Sequence, residues 1–320
     1  MQIQTIDNYT GELEGVAINS ESATFYHSRV WIESLAATFP RIDFRSLVAE
    51  SAGSVEGFLP YFVVRRGPFR VVWSLPFGTY GGPVTGDRRV AAALVNEFAG
   101  TLSPAGVLLA GWVDFGNTAD PGPEAGWRRQ VLQTHLIDLS DGFDALWEST
   151  IDRQRRKRTR QAERLGVTVR LAEGENDLRS YYSIYSDRID QWGGRNQYPE
   201  SFFSMLIESG GDSVRLYVAE HDGVIVGGHF NFYHRDMVTA WQGVTTRESN
   251  HLQAGSLLYT RCLQDACARG YRVYNLGGSL DKRSLIEFKE SLGGVPHEYC
   301  LYTRWSLLGR AAAWVKRTAS

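Results

Sequence analysis

The chain has 320 residues, more than the ~250–300 at which a single hydrophobic core stops growing, so its length predicts two domains. Hydrophobic residues make up 43% and charged residues 22%, with a formal net charge of −2, a globular balance that excludes disorder and fibrous repeats. No run nears the ~18 apolar residues of a membrane span, residues 1–10 lack a secretory leader pattern, and Cys262, Cys267 and Cys300 form no CxxC pair, so a cytoplasmic protein without disulfides or a cysteine-based zinc site is expected.

In chain order, the spacing of Val30, Trp31, Leu35 and Phe39 predicts a helix over 25–39, capped by Ser22 or Thr24. Strands are expected at 46–51, 55–65 and 69–75, with turns at Gly53 and Gly67-Pro68. A helix over 87–102 follows, then strands at 107–113 and 131–139 around a Pro/Gly loop at 117–126. One long helix is predicted over 141–165, stopped by Gly166. A strand at 167–171, helices over 177–191 and 199–208, and strands at 214–220, 224–232 and 238–243 come next, with Asp222-Gly223 as a hairpin turn. A helix over 254–269, a strand at 273–276, a helix over 282–292, a strand at 298–303 and a short terminal helix complete the chain. Both halves read helix, three antiparallel strands, helix, strand, strand, with Trp73 and Trp241 each ending a third strand. The expectation is an α/β (α+β) chain holding two copies of one fold, with domains 1–140 and 141–320.

The GxGxxG loop, the P-loop, the GxSxG elbow and the HExxH helix are missing, and the seven histidines do not cluster at ligand spacing, so no metal site is expected. Three segments carry chemical interest. Arg153, Arg156, Arg160 and Arg164 fall on one helix face by i, i+3/i+4 spacing. Such a stripe suits a polyanion such as an RNA backbone or a diphosphate, the plainer alternative being a solvated helix face. At Trp241-Gln242-Gly243 a strand ends, and Ala254-Gly255-Ser256 then opens a helix whose free N–H groups suit a phosphate or an acyl carbonyl, though such starts are common. At Asn275-Leu276-Gly277-Gly278 a strand ends in a Gly-Gly loop and feeds a helix bearing Phe288-Lys289. Residue type alone leaves Phe288 between core and site, and Lys289 between surface charge and catalytic cation, in a chain of only four lysines.

In this order the segments resemble the Fem-type aminoacyltransferases, a branch of the acyl-CoA N-acyltransferase (GNAT) superfamily. The resemblance also rests on Asp222-Gly223-Val224-Ile225-Val226-Gly227-Gly228 and on Ser74-Leu75-Pro76-Phe77-Gly78-Thr79-Tyr80-Gly81-Gly82-Pro83. It implies two tandem GNAT-like domains, each a mixed, mainly antiparallel sheet flanked by helices. It implies transfer of an amino acid from aminoacyl-tRNA to an amine of a peptide acceptor, in peptidoglycan or peptide-antibiotic biosynthesis. No cofactor is implied, since aminoacyl-tRNA is a co-substrate. By the same resemblance Phe288 and Lys289 meet the 3′ end of the donor, and Arg156, Arg160 and Arg195 hold acceptor phosphates. Tyr80, Gly81, Trp241, Gln242, Gly277 and Gly278 are the further candidate substrate contacts.

An aminoacyl ester is already activated, so the protein need only hold amine and ester together and steady the carbonyl oxygen. Lys289 is the candidate donor to that oxygen or to the leaving hydroxyl. Phe288 is a candidate stacking partner for the terminal adenine, worth ~1–3 kcal/mol. Asp114 is the candidate proton acceptor. Two departures from the family pattern stand out: no coiled-coil arm is present, and the pyrophosphate loop of acetyl-CoA-dependent relatives is absent around 247–255. The alternatives are an acyl-CoA- or acyl-carrier-dependent N-acyltransferase acting on an amino sugar or polysaccharide precursor, and a non-catalytic RNA- or anion-binding module.

Overall fold

The computed structural model describes residues 1–103, 105–122, 125–191, 193–194, 198–279 and 282–311. Its strands are β1 (Gln2–Ile6), β2 (Ile42–Ser51), β3 (Ser54–Arg66), β4 (Phe69–Ser74), β5 (Val107–Asp114), β6 (Arg128–Asp138), β7 (Thr168–Leu171), β8 (Val214–His221), β9 (Val224–His234), β10 (Met237–Thr245), β11 (Val273–Gly278) and β12 (Val295–Trp305). Its helices are α1 (Gly11–Asn19), α2 (Arg29–Thr38), α3 (Arg88–Gly100), α4 (Gly142–Ala145), α5 (Arg153–Arg164), α6 (Gly174–Gln191), α7 (Glu200–Gly210), α8 (Ala254–Ala268) and α9 (Arg283–Glu290). The chain divides into two compact units, Met1–Leu132 with the segment returning from Glu298, and Gln133–His297. Among the described residues no helix is long and apolar enough to cross a membrane.

In the first unit β1 to β4 pair antiparallel in sequence, and β5 lies parallel to β4 after the α3 crossover. The sheet is closed by β12, antiparallel to β5 through Cys300–Trp305. Asp87 caps α3 by accepting from the Arg89 N–H at 2.7 Å, and the helix buries Val90, Ala91, Leu94, Val95 and Phe98 at helical spacing. Phe98 meets Trp112 and Trp127, and Trp112 stacks on Tyr302 at 4.7 Å. In the second unit β7 to β10 pair antiparallel, α8 crosses over, and β11 lies parallel to β10. Here the closing strand is β6, antiparallel to β11 through Thr134–Asp138. Each unit therefore takes one strand from the other half of the sequence.

The two parallel pairs differ. β4 and β5 shift register once, between Arg70 and Val71, then stay paired from Val71 to Ser74, and Gly81 bridges onward to Asp114. β10 and β11 pair only at Met237–Thr239 against Val273–Asn275, although β10 runs on to Thr245 and β11 to Gly278. A bulge at Trp241 shifts the β9–β10 register at the same level. The second unit's pair thus opens past Thr239 and Asn275, while the first unit's stays shut.

Several expectations need correction. The helix over 25–39 begins as a 3-10 turn at Phe25–His27, and α2 starts only after Ser28, whose hydroxyl accepts from the Trp31 N–H. The single helix over 141–165 is three pieces: α4, a π turn at Leu146–Thr150, and α5. Ile151 is extended, and the Asp152 carboxylate accepts from the N–H groups of Gln154 (2.6 Å) and Arg155 (3.3 Å), so a new helix is capped where the old one was read through. β1 and α1 were not foreseen. Most of the expected terminal helix lies past residue 311, outside the described residues.

Candidate functional site

A cavity of about 300 Å³ is walled by Gly228 and His229 of β9 and by Gly243–Thr245 of β10 beyond the bulge. Gly255, Leu258 and Tyr259 of α8, Leu285 and Phe288 of α9, and Arg188 of α6 complete the lining. Glycine at 243 leaves room for the histidine ring, because a Cβ there would stand 2.5 Å from His229 Cδ2 and 2.9 Å from its Nε2. His229 is buried and packs edge-to-face on Tyr259 at 4.5 Å; its Nδ1 has no hydrogen-bond partner among the described residues. Burial pushes its pKa down to about 4, so the imidazole is neutral at pH 7.

Lys289 is the buried residue of α9, only 3% exposed. Its ammonium donates to the carbonyl oxygens of Gly277 (2.5 Å) and Gly278 (2.8 Å), at the free end of β11. Gly277 reaches that geometry with a left-handed φ of 73°, where a side chain would be strained. Its N–H donates to Asn275 Oδ1 at 2.9 Å, which also accepts from the Thr134 hydroxyl at 2.7 Å. Burial pushes the Lys289 pKa down to about 8. His135 is also buried with neither ring nitrogen partnered among the described residues, and its pKa is lowered by burial first and by Lys289 second. The Lys-poor composition gave Lys289 its interest; the fold makes it an interior cation rather than a surface charge.

Phe288 presents its ring edge-to-face to Tyr259 at 5.1 Å, and the Arg155 guanidinium covers it at 4.2 Å. Arg155 is buried and donates to the hydroxyls of Ser256 (2.9 Å) and Ser291 (3.1 and 2.9 Å), tying α5, α8 and the end of α9 together. Its pKa is lowered to about 10, chiefly by burial. The stripe read from the sequence does share a face: Arg153, Arg156, Lys157, Arg160 and Arg164 lie together along one side of α5 with Gln154 and Glu163. Arg156 donates to the carbonyls of Trp147 (2.7 Å) and Glu148 (2.6 Å), which fastens the π turn, and Arg160 lies over the Trp147 ring at 5.7 Å. Arg195 lies outside the described residues.

The remaining candidates have packing partners of their own. Trp241 sits among Tyr198, Phe203 and Phe232, and the Gln242 carbonyl accepts from the Tyr181 hydroxyl at 3.2 Å, so this strand end is anchored to the aromatic core. Tyr80, Gly81 and Asp114 belong to the first unit. Tyr80 is buried against Tyr26, Phe115 and Tyr299. Asp114 is buried, accepting from the Thr118 N–H (3.0 Å) and hydroxyl (2.8 Å) and from the Ala119 N–H (3.0 Å), which anchors the turn that follows β5. Burial raises its pKa against those hydrogen bonds. Gly81 lies so close to Ser74 that a Cβ would collide with the Ser74 carbonyl. Gly81→Ala is therefore expected to destabilise the first unit by about 1–3 kcal/mol, read as a lowered urea midpoint; an unchanged midpoint would refute the close approach. Among the described residues no group of three His, Cys, Asp or Glu side chains is arranged to hold a metal ion.

The sequence profile of the acetyltransferase (GNAT) domain family matches residues 150–290. Among solved structures the chain is similar to FemX, with 11% identity over 93% of this chain and 96% of that one and a TM-score of 0.72. It is similar to L-PGS from Bacillus licheniformis, with 17% identity over 92% of each chain and a TM-score of 0.59. A tandem GNAT protein from the clavulanic acid biosynthesis pathway gives 15% identity over 95% of this chain and 98% of that one, with a TM-score of 0.60. No curated protein sequence matches. The chain thus has a Fem-like, tandem GNAT fold, the acyltransferase fold the ordered segments pointed to.

Proposed function

We propose that this chain, a Fem-like GNAT fold whose second unit holds the open strand pair, transfers an amino acid from aminoacyl-tRNA to an amine of a peptide acceptor. The acceptor class is a cell-wall precursor or a peptide natural product, and the reaction is cytoplasmic. The observation that carries the reading is Lys289, a buried ammonium held by the Gly277 and Gly278 carbonyls at the parted end of β11. The amine nitrogen attacks the ester carbonyl carbon, a C–N bond forms and the ester C–O bond breaks. The electron pair leaves on the ribose oxygen, which ends protonated as the amine loses its proton. Two of the three Lys289 N–H donors hold Gly277 and Gly278; the third serves the carbonyl oxygen as charge develops there. The exposed face of Arg153, Lys157, Arg160 and Arg164 suits the donor's phosphates.

The direct test incubates purified protein with labelled aminoacyl-tRNA and an amine acceptor. Product is expected, and RNase treatment of the donor should abolish it; product that survives RNase would overturn the reading. The double variant Arg153→Glu, Lys157→Glu should weaken tRNA binding at least tenfold in filter assays and flatten its salt dependence. A second reading, an acyl-CoA donor, is favoured by one observation: α8 starts at Gln253 without a side-chain cap, and Gly255 in its first turn lines the cavity. Saturable acetyl-CoA binding by calorimetry would select it.

A further inference from the structure

Resting on the aminoacyl-transfer reading, we infer that Asn275 and Thr134 are positioning residues for Lys289: the Asn275 side-chain oxygen, pinned from β6 by the Thr134 hydroxyl, locks a bulge in β11 whose two carbonyls aim the ammonium. The bulge shows in the strand register. Asn275 pairs with Leu136 and Gly278 with Thr134, so three steps along β11 match two along β6, and Leu276 and Gly277 together stand opposite His135. In a regular strand successive carbonyls point to opposite edges, and one ammonium could not take two in a row. Here Gly277 and Gly278 both accept from Lys289 Nζ, because the left-handed φ of 73° at Gly277 turns the chain between them. Gly277 is held in that turn by its N–H, which donates to Asn275 Oδ1 two residues back. A backbone N–H can only donate, so the Asn275 atom facing it is the amide oxygen, and the Thr134 hydroxyl donates to that same oxygen. Thr134 and Asn275 are wholly buried, out of reach of any substrate. They act through the direction of the third Lys289 N–H, where a displacement of about 1 Å costs on the order of 10²-fold in rate.

The test reads Lys289 itself before it reads turnover. The chain has four lysines, so [ε-13C]lysine labelling of the whole protein gives four NMR signals, and the one missing from Lys289→Met is assigned. In wild type that signal should titrate at about 8. Asn275→Leu, which can accept neither hydrogen bond, should move the titration at least half a pH unit lower as the carbonyls turn from the ammonium. It should also cut kcat for transfer from labelled aminoacyl-tRNA at least tenfold at unchanged KM. Asn275→Asp keeps both hydrogen bonds and adds a negative charge, so it should move the titration at least one unit higher. Thr134→Val loses one hydroxyl and should act as a milder Asn275→Leu, which keeps the test open should the leucine variant not fold; Thr134→Ser should restore wild-type behaviour. Two ionisable neighbours stay in place in every variant: His135 across the bulge, whose pKa is lowered from 6.5 by burial and by Lys289, and Glu290, which follows Lys289 on α9. A role in stability alone would lower the urea midpoint and leave the titration and kcat unmoved. That result, or shifts of one sign in the leucine and aspartate variants, would overturn the positioning assignment with the donor reading intact. Displaced titrations with wild-type turnover in every variant, Lys289→Met included, would overturn the catalytic part of Lys289 and the inference with it.

Discussion

Lys289→Met is expected to reduce acyl transfer by ~10²–10³-fold, the usual loss when one donor to a developing oxyanion is removed, while leaving the fold at least as stable at pH 7. The two halves of this prediction have one cause. Among the described residues the ammonium is held in the interior by two backbone carbonyls and by no carboxylate. Its pKa falls from the ordinary 10.5 to about 8, so the charged form is disfavoured in the fold. Between pH 8 and 10.5 the unfolded chain binds the extra proton, and stability rises with pH across that window. The cost is fully present below pH 8 and amounts to about 3 kcal/mol at one unit per ~1.4 kcal/mol. Methionine removes it and in exchange leaves the Gly277 and Gly278 carbonyls without their donor, a loss of about 1–3 kcal/mol. The melting midpoint at pH 7 should therefore hold or rise, and the stability gradient between pH 8 and 10.5 should flatten. Because the protonated form does the work, wild-type transfer should fall as pH rises through about 8. Circular dichroism melts and pH–rate profiles of the two proteins check both halves; a methionine variant with near-wild-type turnover would remove Lys289 from the mechanism.

Cutting the chain at the boundary suggested by its internal repeat should destroy both units. A fragment of residues 1–140 lacks β12, which leaves the edge of the first sheet open along the whole β5 register from Leu109 to Asp114. A fragment of residues 141–320 lacks β6 and loses the antiparallel partner of β11 at Val273–Asn275, beside the carbonyls that hold Lys289. Exposed edges of this kind pair with other chains, so both fragments are expected in the insoluble fraction. A fragment of residues 128–297 restores the antiparallel partner of β11 and should recover more urea-resistant structure than 141–320. Soluble, cooperatively folding 1–140 would contradict the assignment of β12 to the first sheet.

The sequence made the strands legible where alternation and turn glycines coincide, as in β2–β3 about Gly53 and β8–β9 about Asp222-Gly223, because side-chain period and turn chemistry are both local. It made Phe288-Lys289 and the arginine face legible as candidates. It did not reveal the edge strand β1, whose residues are mostly exposed and carry little pattern. The helix break at Ile151 was hidden because the charged residues that follow are all good helix formers, and only the Asp152 cap fixes the new phase. That phase also decides which arginine goes inside: Arg155, one residue away from the stripe, and no spacing rule singles it out. His229 was one histidine among seven, and no local pattern marks it as the one that β10, α8 and α9 wall into a cavity. Strand exchange leaves no trace in element order, since either pairing of the closing strands fits the same string of elements.

The same exchange sets an order on synthesis. A nascent chain reaches residue 140 with β1 to β6 already made, yet β12, the strand that pairs with β5, comes only at Val295–Trp305. At ~5–20 residues per second the ribosome withholds that strand for about ten to thirty seconds. The unit begun first thus waits for the second to be made, and through that interval the edge of β5 stands bare, a natural place for a chaperone to hold.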